Sequence, residues 1–392
     1  MPDSPLPSAL SLPPLSLYIH IPWCVKKCPY CDFNSHESTQ KKLPEAEYLA
    51  KLKQDLTQDL HWVQGRRLRS IFFGGGTPSL FSANTIGLIL EEANNKIGFE
   101  DSIEITLEAN PGTFEQQKFI DYRQAGVNRL SIGVQSFEDK HLQRLGRIHN
   151  QNEASAAIKA AKKAGFDNFN IDLMHGLPEQ SVEEAMKDIT HAIALEPSHI
   201  SWYQLTIEPN TVFYREPPPL PVDDILADIQ DAGQRLLAEN DFKQYEVSAF
   251  GQDQKQSQHN LNYWSFGDYI GIGAGAHGKV TDLQSQQIIR RQKTRLPEHY
   301  LGGSNAPSYK ETTVEPNELA LEFLMNALRL NEGVPSDYFF SRTGLSLDII
   351  EKPLNDLIRQ GLIDPIECRL KTSVLGQRFL NTVLTKFMGH HA

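Results

Sequence analysis

Apolar positions along the chain fall into two alternating patterns. Short β-rich apolar runs occur at residues 17–21, 70–73, 103–109, 129–134, 168–174 and 199–207. Between them, apolar residues recur with helical spacing over 45–63, 82–97, 114–125, 152–164 and 182–195. This alternation predicts parallel strands joined by crossover helices. In such folds functional groups gather at the carboxyl ends of strands, so the polar and glycine-bearing turns there are where chemistry is expected. A Pro-rich stretch at 216–221 reads as a rigid surface connection before a helix at 222–239. Residues 281–313 are polar, with Gln, Arg and Lys clustered, and a domain boundary is expected near their end. Helices at 318–330 and 346–360 and a short strand at 362–367 then form a small α-rich unit. The expected organisation is a flexible lead-in over 1–16, a main domain over 17–313 and a C-terminal domain over 314–392.

Composition narrows the function classes. The 392 residues carry 38 Lys+Arg against 49 Asp+Glu, a formal net charge of −11. That balance argues against nucleic-acid binding through phosphate contacts. No apolar run approaches the roughly 18 residues of a membrane span. Residues 1–16 lack Lys, Arg and a contiguous apolar block, so they are not expected to be a signal peptide, and a cytoplasmic protein is expected. Of the four cysteines, Cys24, Cys28 and Cys31 are clustered and Cys368 is isolated. This is a poor disulfide framework and a plausible metal site in a reducing compartment.

The cluster reads Cys24-x3-Cys28-x2-Cys31, directly after the first predicted strand. Three thiolates on one loop suit three corners of a cubane iron–sulfur cluster and leave one iron for a non-protein ligand. A structural zinc site would usually want four closed ligands at other spacings. Packed or surface thiols suit a lone cysteine such as Cys368 better than this trio.

With the aromatic Tyr30 before the last cysteine, the motif resembles the radical S-adenosylmethionine (SAM) superfamily. The resemblance implies a partial parallel (β/α)6 barrel with a small C-terminal α-rich domain, in agreement with the six strands counted above. It implies a [4Fe-4S] cluster on Cys24, Cys28 and Cys31 whose open iron chelates the methionyl end of S-adenosylmethionine. Reductive cleavage of the sulfonium would then release methionine and a 5′-deoxyadenosyl radical. Gly75, Gly76 and Thr77 of Gly-Gly-Gly-Thr-Pro, Glu108, Gln135, Arg147 and Asp172 match the family's cofactor contacts in order and position. Taken singly, the glycines could be a turn and each charged residue a salt-bridge partner. A lone acid in an apolar strand, such as Asp172, is costly unless paired or ligand-bound.

Tyr18-x-His20-x-Pro22-x-Cys24, Gly-Val-Gln-Ser and Ile-Asp-Leu-Met-His-Gly-Leu-Pro are similar to the oxygen-independent coproporphyrinogen III oxidase branch. The likeness is strong over about residues 17–280. Two departures separate the chain from true oxidases: Phe33 stands where they carry a further cysteine, and they carry a longer segment before the cluster. Both features are those of the oxidase-like HemW group, which the resemblance identifies as haem chaperones. His259-Asn-x-x-Tyr263-Trp264 fits that group's haem-binding pattern. A neutral imidazole is a good axial ligand, and Tyr263 and Trp264 can cover a porphyrin face with polar tips at the rim. A packed His-aromatic cluster is the plain alternative.

The resemblance thus implies haem as a ligand and haem-accepting proteins such as respiratory cytochromes as partners. Peripheral contact with membrane haemoproteins and a homodimer are compatible with it. The glycine-rich run at 268–278 lacks a strand-to-helix context and reads as close backbone packing, not a dinucleotide fingerprint. His20 and His277 are secondary candidates for haem or cofactor contacts, with ordinary hydrogen-bonded packing the favoured reading of each, and Cys368 is expected to be a bystander. The competing function is coproporphyrinogen III oxidation, in which two propionates become vinyl groups by radical decarboxylation. A radical enzyme acting on an unrelated substrate is the third.

Overall fold

The computed structural model describes residues 10–38, 43–112, 118–302 and 309–388. Six strands appear where apolar runs predicted them: β1 (Leu15–Ile21), β2 (Leu68–Gly75), β3 (Phe99–Ala109), β4 (Arg129–Gln135), β5 (Phe169–His175) and β6 (His199–Gln204). They pair in parallel in chain order. Their crossover helices are α1 (Glu45–Asp59), α2 (Ala83–Lys96), α3 (Phe119–Gln124), α4 (Gln151–Lys163) and α5 (Val182–Ala194). The predicted start of α3 falls partly on residues 113–117, outside the described residues. Helices α4 and α5 both begin with a capping box, Asn150 with Glu153 and Ser181 with Glu184, which satisfies amide groups at their first turns. Helix α6 (Asp223–Glu239) follows the Pro-rich connection.

The sheet is wider than six strands. Strands β7 (Lys243–Glu246) and β8 (Ala249–Gly251) extend it antiparallel beyond β6. After helix α7 (Gln258–Trp264), a seventh parallel strand, β9 (Asp268–Ile272), pairs with β1. Strands β10 (His277–Asp282), β11 (Gln287–Lys293) and β12 (Tyr309–Thr313) then continue antiparallel. The order is β12-β11-β10-β9-β1-β2-β3-β4-β5-β6-β8-β7. The polar segment at 281–313 thus gives the sheet residues 281–282, 287–293 and 309–313 and carries a short helix at Pro297–Gly302, with residues 303–308 outside the described residues.

These added strands are held by buried charge as well as apolar packing. Asp55 and Asp59 on α1 point at the sheet, where Lys293 pairs with both and Arg291 with Asp59. Asp55 also accepts from Gly273 N at 3.0 Å and Tyr300 OH at 2.9 Å. On the neighbouring strands Asp268 meets Arg66 at 2.7 Å and Lys279 at 2.9 Å. Paired and hydrogen-bonded in this way, such ions avoid the several kcal/mol an isolated buried charge would cost.

One apolar core lies between the sheet and its helices, and a second gathers Phe323, Leu324, Phe339, Leu357 and Val383 in the C-terminal helices. Leu10 is buried in this second core, and Ser11 N donates to Ser341 O at 2.8 Å. Leu10 and Ser11, expected as part of a flexible lead-in, thus pack against the C-terminal helices, and β1 begins at Leu15 inside the expected lead-in. Residues 1–9 of that lead-in lie outside the described residues. The strand expected at 362–367 is only a single bridge, Ile363 to Thr372, and the neighbouring strand is Arg369–Leu370. No helix among the described residues is long and apolar enough to cross a membrane.

Candidate functional site

The cysteine loop leaves the carboxyl end of β1 and is tied at its base. Trp23 and Cys24 pair in parallel with His36 and Glu37, and His36 N donates to Pro22 O at 2.7 Å. Cys24, Cys28 and Cys31 are free thiols on this loop and line one cavity of about 340 Å3, whereas Cys368 is exposed in the C-terminal unit. Burial, reinforced by the neighbouring cysteines, pushes the Cys24 thiol up to about 11. Arg147 Nη1 lies 3.6 Å from Cys28 Sγ. Its Nη2 donates to Asn110 Oδ1 at 2.6 Å and Gly133 O at 2.7 Å. Among the described residues, no three His, Cys, Asp or Glu side chains are grouped around a single ion.

The strand ends complete this cavity. Tyr30, Gly75, Gly76, Thr77, Glu108, Gln135, Arg147 and Asp172 all line it. A Cβ on Gly76 would sit 2.4 Å from Trp23 O, so only glycine lets β2 pass beneath the cysteine loop. Gly75 N donates to Glu108 Oε2 at 3.3 Å, and burial with the Asp172 charge nearby pushes Glu108 up to about 8. Burial also raises Asp172, opposed by hydrogen bonds from Asn170 at 2.7 Å and Ser131 at 3.0 Å. Gln135 has a φ of 72° and accepts from Tyr203 OH at 2.8 Å. Asn110, Ser131 and Tyr203 were not singled out from sequence. For Asn110 and Tyr203 a position at a strand end was the signal available, whereas Ser131 lies inside β4 and offered none.

A second cavity, of about 550 Å3, adjoins the first and shares Phe33, Gly75, Glu108, Asn260 and Trp264 with it. Tyr18, Phe72, Tyr263 and Tyr269 give it aromatic walls, and His259 lines it. His259 Nδ1 is hydrogen-bonded to Ser70 Oγ at 3.2 Å, and Nε2 has no hydrogen-bond partner among the described residues. Burial, with the Arg129 charge, lowers His259 to about 3 and keeps it neutral. Helix α7, which carries it, is anchored at its start by Glu104, which accepts from Gln258 N and His259 N, both at 3.1 Å. Asn262 anchors the same helix by donating to Ser16 Oγ at 2.9 Å and Asp268 O at 3.0 Å.

His20 packs as the favoured reading of the sequence has it, whereas Trp264 sits differently from its expectation. Both His20 nitrogens are engaged, Nδ1 with Tyr18 OH and Nε2 with Asn34 O, each at 2.9 Å, so His20 packs and orders the loop. The Trp264 indole lies under the Arg329 guanidinium, 4.3 Å from the ring centre, and its Nε1 is buried with no hydrogen-bond partner among the described residues. Its polar tip is therefore not at a solvent rim. The glycine run does pack closely: a Cβ on Gly275 (φ 80°) would sit 2.0 Å from Asn34 Nδ2.

The model of the radical SAM superfamily matches residues 18–189, and that of the HemN C-terminal domain matches residues 314–379. A heme chaperone HemW of Haemophilus influenzae is 51% identical over 381 residues, spanning 96% of this chain and 98% of its own. The chain belongs to the HemW family. The heme chaperone HemW of Escherichia coli is 50% identical over 379 residues, spanning 97% of this chain and 99% of its own. The fold of this HemW-family chain matches the radical SAM enzyme coproporphyrinogen III oxidase (HemN) from Escherichia coli. The TM-score is 0.80 at 21% identity, covering 97% of this chain and 91% of that one. At that identity the likeness establishes the fold alone, an α/β radical SAM architecture with a helical C-terminal unit. HemW-family membership carries the rest of the comparison.

Proposed function

We propose that the chain is a haem chaperone that holds haem in the aromatic cavity, next to a [4Fe-4S] cluster and S-adenosylmethionine in the cysteine cavity, and passes haem to acceptor haemoproteins. The observation that carries the reading is His259. Its imidazole is neutral and oriented through Nδ1, and Nε2 has no hydrogen-bond partner among the described residues, in an aromatic-walled cavity of about 550 Å3. Curated relatives named heme chaperones at about half identity over nearly their full length support it.

The donor set of the first cavity fits a cluster. Cys24, Cys28 and Cys31 would hold three irons, and no fourth cysteine lines the cavity. Bound there, the cluster and S-adenosylmethionine would supply one-electron chemistry at the sulfonium. Gly75 and Gly76 let backbone groups approach the methionyl end, and Glu108 and Asp172 offer acceptors for amino or ribose hydroxyl groups. Arg147, 3.6 Å from Cys28 Sγ, would balance the negative charge of a bound cluster.

The test is titration of cluster-loaded protein with haemin, wild type against His259→Ala. Uptake in wild type with at least tenfold weaker binding in the variant supports the reading. Absence of uptake by wild type overturns it, and uptake indifferent to His259 removes that residue as ligand. Protoporphyrinogen formed anaerobically from coproporphyrinogen III would favour the oxidase reading instead.

A further inference from the structure

The second cavity is aromatic over most of its wall, but one side of its mouth is not. There Gln292 and Arg295 stand at and just beyond the end of β11, with His277 at the start of β10. The root of Arg295 is fixed. Asn34 Nδ2 donates to Arg295 O at 2.9 Å and to Ala274 O at 3.0 Å, and Arg295 Nε reaches Asn34 Oδ1 at 3.5 Å. Gly275 provides the space in which Asn34 makes these bonds.

The tip of Arg295 is different from its neighbours. Arg290 pairs with Glu322, and Arg291 with Asp59 and Glu311. Arg295 has no carboxylate partner among the described residues, and the His277 ring holds no hydrogen bond there. Asp32 lies on the cysteine-loop side and Glu108 also lines the cavity, so charge across the site is asymmetric. An anchored guanidinium left unpaired at the mouth of an aromatic slot suits a carboxylate, which it can grip with two parallel hydrogen bonds.

We propose that Arg295, with His277 and Gln292 beside it, receives the carboxylate edge of the ligand and so fixes which edge of a planar tetrapyrrole enters first. The proposal rests on the reading of this cavity as a haem site. The propionate edge then lies at the mouth beside β10 and β11, and the opposite, apolar edge faces Tyr18 and Phe72.

The full-length protein is titrated with haemin and with haemin dimethyl ester, as wild type and as Arg295→Gln, following absorption of the bound porphyrin. Wild type is expected to bind the free acid about tenfold more tightly than the ester, the scale of one charge-assisted contact. In Arg295→Gln that ratio falls to near one while the spectrum of the bound porphyrin is unchanged. A ratio near one in wild type, or one unaltered in Arg295→Gln, overturns the carboxylate grip and leaves the haem site standing. Uptake of neither porphyrin by wild type overturns both.

Discussion

Ser70 on β2 holds the ring of His259 from below, Oγ to Nδ1 at 3.2 Å, and is itself hydrogen-bonded to Ser16 Oγ at 2.7 Å. The contact makes one imidazole nitrogen structural and leaves the other for a ligand. The same serine pair reaches Asn262, so the first and fourth residues of the His259-Asn-x-x-Tyr-Trp motif share one buried polar chain.

Ser70→Ala therefore separates orientation from ligation. The variant should lose about 1 kcal/mol of stability from the buried hydrogen bonds and bind haemin several-fold more weakly, with a smaller loss than His259→Ala. Parallel urea denaturation and haemin titration of both variants check this. Equal losses of affinity would show that Ser70 does more than orient the ring.

Glu104 is expected to act as the clamp of α7. It accepts two backbone amides of the helix, and Arg129 Nε stands 3.9 Å away. Glu104→Gln should cost about 1–3 kcal/mol. Hydrogen exchange should locate the change, with protection lost first at the amides of Gln258 and His259. Unchanged exchange there would count against the clamp.

Gly275→Ala should loosen the cysteine loop from a distance. The added methyl would displace Asn34, which ties that loop to Ala274 and Arg295, and it would occupy a left-handed backbone position. A loss of about 2 kcal/mol or more is expected. Iron and sulfide content after anaerobic reconstitution should fall with it, measured against Gly302→Ala, where a Cβ meets nothing within 4 Å.

Glu108 gives a pH signature in the ligand-free protein. Burial raises its carboxyl from 4.5 to about 8, so folding takes up a proton at pH values between these limits. Stability from this group therefore declines as pH rises through that window. Glu108→Gln should be more stable than wild type at pH 8, with the difference shrinking toward pH 5. Urea midpoints at the two pH values measure it, and a difference that grows on acidification would contradict the assignment.

The six central strands were legible because parallel strands covered on both faces are nearly continuous apolar runs. The outer strands were hidden by the ions they bury. Arg291 and Lys293 look like solvent-facing residues in sequence, and their partners Asp55 and Asp59 lie on a helix more than two hundred residues earlier, while Lys279 is buried against Asp268 of the adjoining strand. Strand β9 was obscured by glycines that reflect close packing at its end. In the site, the cysteines and strand-end acids were legible by motif and placement. Asn34 and Ser70 were not, since a short polar residue announces its partner only once the chain has folded.

The two cavities are walled in common by Phe33, Gly75, Glu108, Asn260 and Trp264. Any ligand that shifts one of these residues changes the shape and field offered to the ligand next door. Thermodynamic linkage makes that influence mutual: if filling the cysteine cavity tightens or loosens haem, haem must change the affinity of the first ligand by the same factor. A shared wall thus lets the occupancy of one chamber set the hold of the other, without a moving lid or a second subunit.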